Sequence, residues 1–236
     1  MTVSLHLLCA GAAQGLVKAL MPELQALTGA TLVARFGAVG AMQEALLAGE
    51  PCDLMVVTDK MVGELVAAGR LRGETRSALG RVKTGMAVPA GAARPDVSTP
   101  QALKAALLAA GAVYFPDPAR ATAGIHFANV LRELDIFEAL LPRMYTYPNG
   151  AATMRELAAQ TAAGGPPHIG CTQVSEILYT DGVALVGALP DRFELATVYT
   201  AAVSSAAAQP ALAERFITLL AGPGSRALRE AGGFEF

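Results

Sequence analysis

Apolar residues along the chain switch between two spacings. Short unbroken runs give way to runs that repeat every three to four residues, the change from a buried strand to an amphipathic helix. Val3 to Leu8 reads as a strand. Leu16, Leu20, Leu24 and Leu27 follow at helical spacing; Gly29 supplies the stop, and Pro22 predicts a kink or a late restart. Thr31 to Phe36, Asp53 to Val57, Val82 to Val88 and Ala112 to Phe115 read as further strands. Helices are predicted over Ala38 to Ala48, Asp59 to Gly69, Ser98 to Gly111 and from Thr122 onward. "NGAATMRELAAQTAAGG" is another helix, and "PHIGCTQVSEIL" a strand running into a short one. Val183 to Ala188 and Ala196 to Val203 are late strands, and two helices split at Gly222-Pro223-Gly224 close the chain. Strands alternating with helices predict an α/β fold with parallel pairing and helices on both faces.

Composition narrows the classes. With 236 residues, 53% hydrophobic and 16% charged, the chain has enough apolar material for one large domain or two smaller lobes. The net charge of -2 and the lack of a basic cluster argue against nucleic acid or an anionic membrane as partner. The three cysteines (Cys9, Cys52, Cys171) and three histidines (His6, His126, His168) form neither a disulfide framework nor a metal-ligand spacing, so no metal and no cofactor are expected. No run is long and apolar enough to insert directly into a membrane. No basic, apolar, small-residue leader follows Met1. The expected location is therefore cytoplasmic if Met1 is the native start, and periplasmic if a leader was removed. A monomer is the expected state.

Candidate chemistry lies in the loops that follow the strands. "CAGAAQG", "FGAVGAM", "DPARATAG" and "YPNGAAT" are all small or turn-forming, and each leads into a helix. A helix start offers unpaired N–H groups and about half a unit of positive charge. Several together make an anion site that needs few lysines or arginines. The same small residues also suit tight strand-to-helix turns with no ligand at all.

The segments "CAGAAQGLVKALMPELQALTG", "FGAVGAMQEALLAGEPCDLMVVTD", "RVKTGMAVPAG", "PDPARATAGIHFANVLRELDIFEAL", "GCTQVSEIL" and "RFITLLAGPGSRALREAGGFEF" cover nearly the whole chain. Together they resemble the molybdate-binding members of the type II periplasmic solute-binding proteins. The G-E-P-C-D-L and D-P-x-x-x-x-A-G stretches are the most specific. The resemblance implies two α/β lobes, residues 1–82 plus 195–236 and residues 83–194, with a ligand cleft between them and hinge closure on binding. It also implies a membrane transporter as partner if the protein is exported. Ligand contacts would come from Gly11, Ala12, Val39, Gly40, Ala121, Thr122, Ala123, Asn149, Gly150 and Gln173.

Molybdate binders present serine hydroxyls in the first two of these loops and a tyrosine in the last. This chain has Gly11-Ala12, Val39-Gly40 and Gln173 there. A tetrahedral oxyanion would lose several charge-assisted hydrogen bonds, each worth about 1–3 kcal/mol. The expected ligand is a small anion of the carboxylate class rather than molybdate. Arg120 could hold a carboxylate in a bidentate pair; Arg155 could do the same or simply face solvent.

A related group resembles aconitate isomerase, which shifts a double bond in an unsaturated tricarboxylate without a cofactor. The alternative function is therefore an isomerase of that kind. It needs a base near the substrate carbon. Cys9 stands beside a helix start, where a thiol pKa can fall, and His126 lies one turn after Thr122. Tyr145 and Tyr147 precede Asn149. Cys9 as core filler and His126 as an ordinary helix residue are the alternatives. The sequence contains no G-x-S-x-G, P-loop, dinucleotide or H-E-x-x-H motif, which removes the main support for a hydrolase, NTPase, dehydrogenase or zinc protease.

Overall fold

The structure is a computed structural model that describes residues 3–160 and 166–236. The end of the helix predicted over "NGAATMRELAAQTAAGG", residues 161–165, lies outside the described residues. The chain divides into two compact units. Unit 1 is Met1–Val82 with Thr197–Phe236, and unit 2 is Lys83–Ala196.

Unit 1 is built on strands β1 (Ser4–Ala10), β2 (Thr31–Gly37), β3 (Leu54–Thr58) and β9 (Ala196–Val203), in the order β2-β1-β3-β9. β1 pairs in parallel with β2 and with β3, whereas β9 runs antiparallel to β3. β3 is central, and Leu54, Met55, Val56 and Val57 are all buried. A strand covered on both faces reads as an unbroken apolar run for this reason. The helices of unit 1 are α1 (Gln14–Thr28), α2 (Val39–Leu47), α3 (Asp59–Ala67), α9 (Pro210–Ala221) and α10 (Arg226–Ala231). α1 runs through Pro22 as one helix, so the late restart does not occur. Its end is a left-handed Gly29, φ 67°, whose N–H donates to the Gln25 carbonyl.

Unit 2 contains β4 (Ser77–Pro89, shared at its start with unit 1), β5 (Ala112–Pro116), β6 (Met144–Tyr147), β7 (His168–Gln173) and β8 (Val183–Ala188). Its order is β4-β7-β5-β6, with β8 on the other side of β4. β5 pairs in parallel with β6 and β7. β4 is antiparallel to both β7 and β8. The helices are α4 (Pro100–Ala109), α5 (Thr122–Glu133), α6 (Phe137–Leu140), α7 (Gly150–Ala158) and α8 (Val174–Tyr179). One face of the sheet packs Met86, Val113, Phe115 and Cys171 against Leu103 and Leu107 of α4 and Phe127 and Leu131 of α5. The other packs Ala87 and Tyr114 against Met154 and Leu157 of α7 and Ile177 of α8.

The all-parallel expectation is thus corrected in both units. A helix crossover forces parallel pairing only between the strands it connects. β9 follows the whole of unit 2 rather than a crossover from β3, and nothing constrains it to run with its neighbour.

Candidate functional site

The G-E-P-C-D-L stretch contains Asp53, which is 1% exposed. Its Oδ2 accepts the His6 backbone N–H at 2.7 Å and its Oδ1 accepts the Gln209 backbone N–H at 2.8 Å. The His6 ring stands 3.4 Å away. Asp53 therefore ties β1 to the start of α9. A buried carboxylate with two backbone donors is a structural anchor, not a ligand contact.

The D-P-x-x-x-x-A-G stretch builds the start of α5. Asp117 Oδ1 accepts the Ala119 N–H at 2.7 Å and the Arg120 N–H at 3.2 Å. Gly124 is required further on, since a Cβ there would stand 2.2 Å from the Pro116 carbonyl oxygen. The close approach sets α5 directly against the end of β5. Ala121 and Ala123 are buried, Thr122 is half-buried, and Arg120 is exposed. No side chain caps α5.

The other predicted ligand loops divide by unit. In unit 1, Gly11 and Ala12 form a buried turn of 3-10 helix between β1 and α1, with no side-chain cap. Val39 is buried and Gly40 half-buried at the start of α2, which also lacks a side-chain cap. By contrast, Thr58 caps α3 and Thr99 caps α4. The helix starts at Gly11, Val39 and Thr122 are thus alike: each follows a parallel strand and is free of a capping hydroxyl.

In unit 2, Asn149 caps α7, its Oδ1 accepting the Ala152 N–H at 2.9 Å. Gly150 is buried against Glu176 and Thr172. Glu176 was not singled out by the sequence, yet its side chain is enclosed. The backbone amides of Gln173, Ala151 and Gly150 donate to its carboxylate, and the Thr172 hydroxyl donates at 2.5 Å. Burial pushes the Glu176 carboxyl above the usual range, and these donors pull it part of the way back. Gln173 is 2% exposed and pairs in register with Thr84 of β4. Around it, the Thr84 and Ser175 hydroxyl oxygens are buried with no hydrogen-bond partner. A buried hydroxyl without a partner costs about 1–3 kcal/mol, so such groups call for an explanation.

The candidate acid–base groups separate clearly. Cys9 is fully buried, and its Sγ–H donates to the Ala10 carbonyl at 3.3 Å. Burial raises its thiol far above the ordinary value, so the lowered pKa expected beside a helix start is not found. His126 is half-buried on α5, with Nε2 2.7 Å from the Phe193 carbonyl oxygen. A carbonyl only accepts, which places the proton on Nε2 and leaves Nδ1 as the acceptor nitrogen. Tyr145 and Tyr147 stack on Tyr114 at 5.3 and 6.3 Å and belong to an aromatic group at β5 and β6. Arg155 lies exposed on α7. Among the described residues, no cluster of three or more His, Cys, Asp or Glu side chains could hold a metal ion. No described helix is long and apolar enough to cross a membrane.

This arrangement of strands and helix starts is the type II periplasmic-binding fold. The structure matches the periplasmic molybdate-binding protein of Azotobacter vinelandii with a TM-score of 0.79 at 20% identity, over 98% of this chain and 99% of that one. It matches the sulfate-binding protein of Mycobacterium tuberculosis with a TM-score of 0.73 at 16% identity, over 98% of this chain and 86% of that one. The profile of the bacterial extracellular solute-binding protein family covers residues 5–235, and the chain belongs to that family. It is also similar to an aconitate isomerase from a Pseudomonas species, 28% identical over 97% of this chain and 87% of that protein.

Proposed function

We propose that the protein captures a small anion of the carboxylate class on its uncapped helix starts. The observation that carries this reading is the likeness of the starts at Gly11, Val39 and Thr122, none of which has a capping side chain, with the first two also lacking the hydroxyls that a tetrahedral oxyanion needs. Such starts present N–H groups and a positive dipole end to an anion. The unpartnered Thr84 and Ser175 hydroxyls beside Gln173 add weight, since a polar ligand would satisfy them. Arg120, next to the α5 start, supplies a charge for one carboxylate.

The test is a thermal-shift panel of molybdate, tungstate, sulfate, phosphate, and di- and tricarboxylates. A ligand that binds only the folded state must raise the melting temperature. A rise with carboxylates and none with molybdate or sulfate is expected. A rise with molybdate alone refutes the carboxylate assignment. As a receptor, the protein would pass its ligand to a membrane transporter, which requires export; fractionation of producing cells decides that.

A second reading is a cofactor-free isomerase of an unsaturated polycarboxylate acting at the same helix starts. The 28% identity to an aconitate isomerase favours it. The base would be His126 through Nδ1, because the buried, protonated thiol of Cys9 is not available. Incubation with cis- and trans-aconitate in deuterium oxide tests it: deuterium must enter the substrate carbon skeleton, and its absence ends this reading.

A further inference from the structure

The start of α7 differs from the uncapped ones because the chain already fills it with an anion. A helix leaves its first N–H groups without intrahelical partners. Here Ala152 is served by Asn149, while Gly150 and Ala151 are served by the carboxylate of Glu176, reaching over from α8. That carboxylate also takes the Gln173 N–H and the Thr172 hydroxyl. Three backbone donors and one hydroxyl around a carboxylate are what a bound carboxylate ligand would receive.

Gly150 makes the arrangement possible. A Cβ at this position would stand 1.9 Å from Glu176 Oε2 and 2.1 Å from Thr172 Oγ1. The space a side chain would occupy is the space the carboxylate fills. Glu176 and Thr172 are 6% and 0% exposed, so water does not replace either partner.

We infer that Glu176 is a specificity-determining residue: its carboxylate occupies, from within the chain, the anion position at the start of α7. Ligand capture is thereby restricted to the remaining helix starts. This inference rests on the anion-capture reading for its meaning, but its test does not depend on which ligand the wild-type protein takes.

Glu176→Ala removes the internal anion and leaves the donors and the space. Over sodium chloride at equal ionic strength, sodium formate and sodium acetate should raise the melting temperature of this variant by several degrees more than that of wild type. Adding Gly150→Ala to Glu176→Ala places a methyl group in the vacated position and should abolish the response. If Glu176→Ala does not fold, the isosteric Glu176→Gln gives a second readout by NMR. The Gly150 and Ala151 amide resonances should titrate with pH in wild type and become flat in Glu176→Gln. A folded Glu176→Ala indifferent to formate and acetate, or amide titrations unchanged in Glu176→Gln, overturns the inference. Silence of the wild-type protein toward every small anion would instead remove the anion-capture reading and leave the formate result standing.

Discussion

The carboxylate of Asp53 accepts the backbone N–H of Gln209, 156 residues further along the chain, at 2.8 Å. Its other oxygen holds the His6 N–H. Asp53→Ala strands two buried donors, each costing about 1–3 kcal/mol. The variant should lose about 3 kcal/mol of stability in urea denaturation, and Asp53→Asn distinctly less. A loss under about 1 kcal/mol would mean that water reaches these amides.

Gly124 and Gly63 make a matched pair. Gly124→Ala drives a methyl group to 2.2 Å from one backbone carbonyl oxygen and 2.4 Å from the next. Neither oxygen can move without shifting β5, so a cost of about 3 kcal/mol or more is expected, the upper end for overpacking. Gly63 lies inside α3 with nothing within 4 Å of its would-be Cβ. Gly63→Ala should stabilise by about 0.5–1 kcal/mol through helix propensity. Both values come from the same denaturation series.

The pH dependence of stability carries the signature of Glu176. Its carboxyl is raised by burial, and its surroundings act through hydrogen bonds rather than charged side chains. A carboxyl with a raised folded pKa costs nothing below its unfolded value of about 4.3, and its ionisation costs progressively more as pH rises through the folded value. The stability of wild type relative to Glu176→Gln should therefore be greatest in acid and fall toward neutral and alkaline pH. Denaturation of both proteins between about pH 4.5 and 8 measures it, and a flat difference contradicts the assigned shift.

The cysteines should be inert while the protein is folded. Cys9 and Cys171 are wholly buried, and burial pushes the Cys52 thiol up to about 12. The thiolate is the reactive form, so iodoacetamide should label none of the three until denaturant is added. Rapid labelling of native Cys9 would reopen its candidacy as a base.

Restoring lost hydroxyls tests the ligand class from the other direction. Ala12→Ser with Val39→Ser places a donor at each of two uncapped starts. Each added charge-assisted hydrogen bond is worth about 1–3 kcal/mol, or roughly five- to a hundredfold in affinity. The double variant should gain a molybdate response in calorimetry that the parent lacks.

Most elements were legible because apolar spacing is read against burial. β3 and β5 announce themselves as unbroken apolar runs, and Gly29 and Gly49 stop their helices with positive φ. β6 was not legible. "MYTY" sits at a sheet edge with Tyr145 and Thr146 exposed, so its pattern comes from stacked rings rather than from alternation. β4 begins earlier than its apolar run suggests, passing Gly80 at φ 128°. Strand direction was misjudged for β4, β8 and β9, because helix spacing speaks only for consecutive strands. The uncapped helix starts were readable from small residues after strands. The roles of Asp53 and Glu176 were not, since an acid among apolar residues looks the same in sequence whether it meets solvent or backbone amides.

The Thr84 N–H of β4 donates to the Leu195 carbonyl at 3.0 Å, so the second and the second-to-last residues of unit 2 are bonded neighbours. A segment whose ends meet can be cut out or exchanged at one point. Unit 2 is in this sense a cassette. The expected outcome is that Lys83–Ala196 folds as a separate polypeptide, which circular dichroism checks, and that the equivalent segment of a relative can be spliced in its place. Chimeras of that kind would let the anion preferences contributed by each half be inherited, and selected, independently.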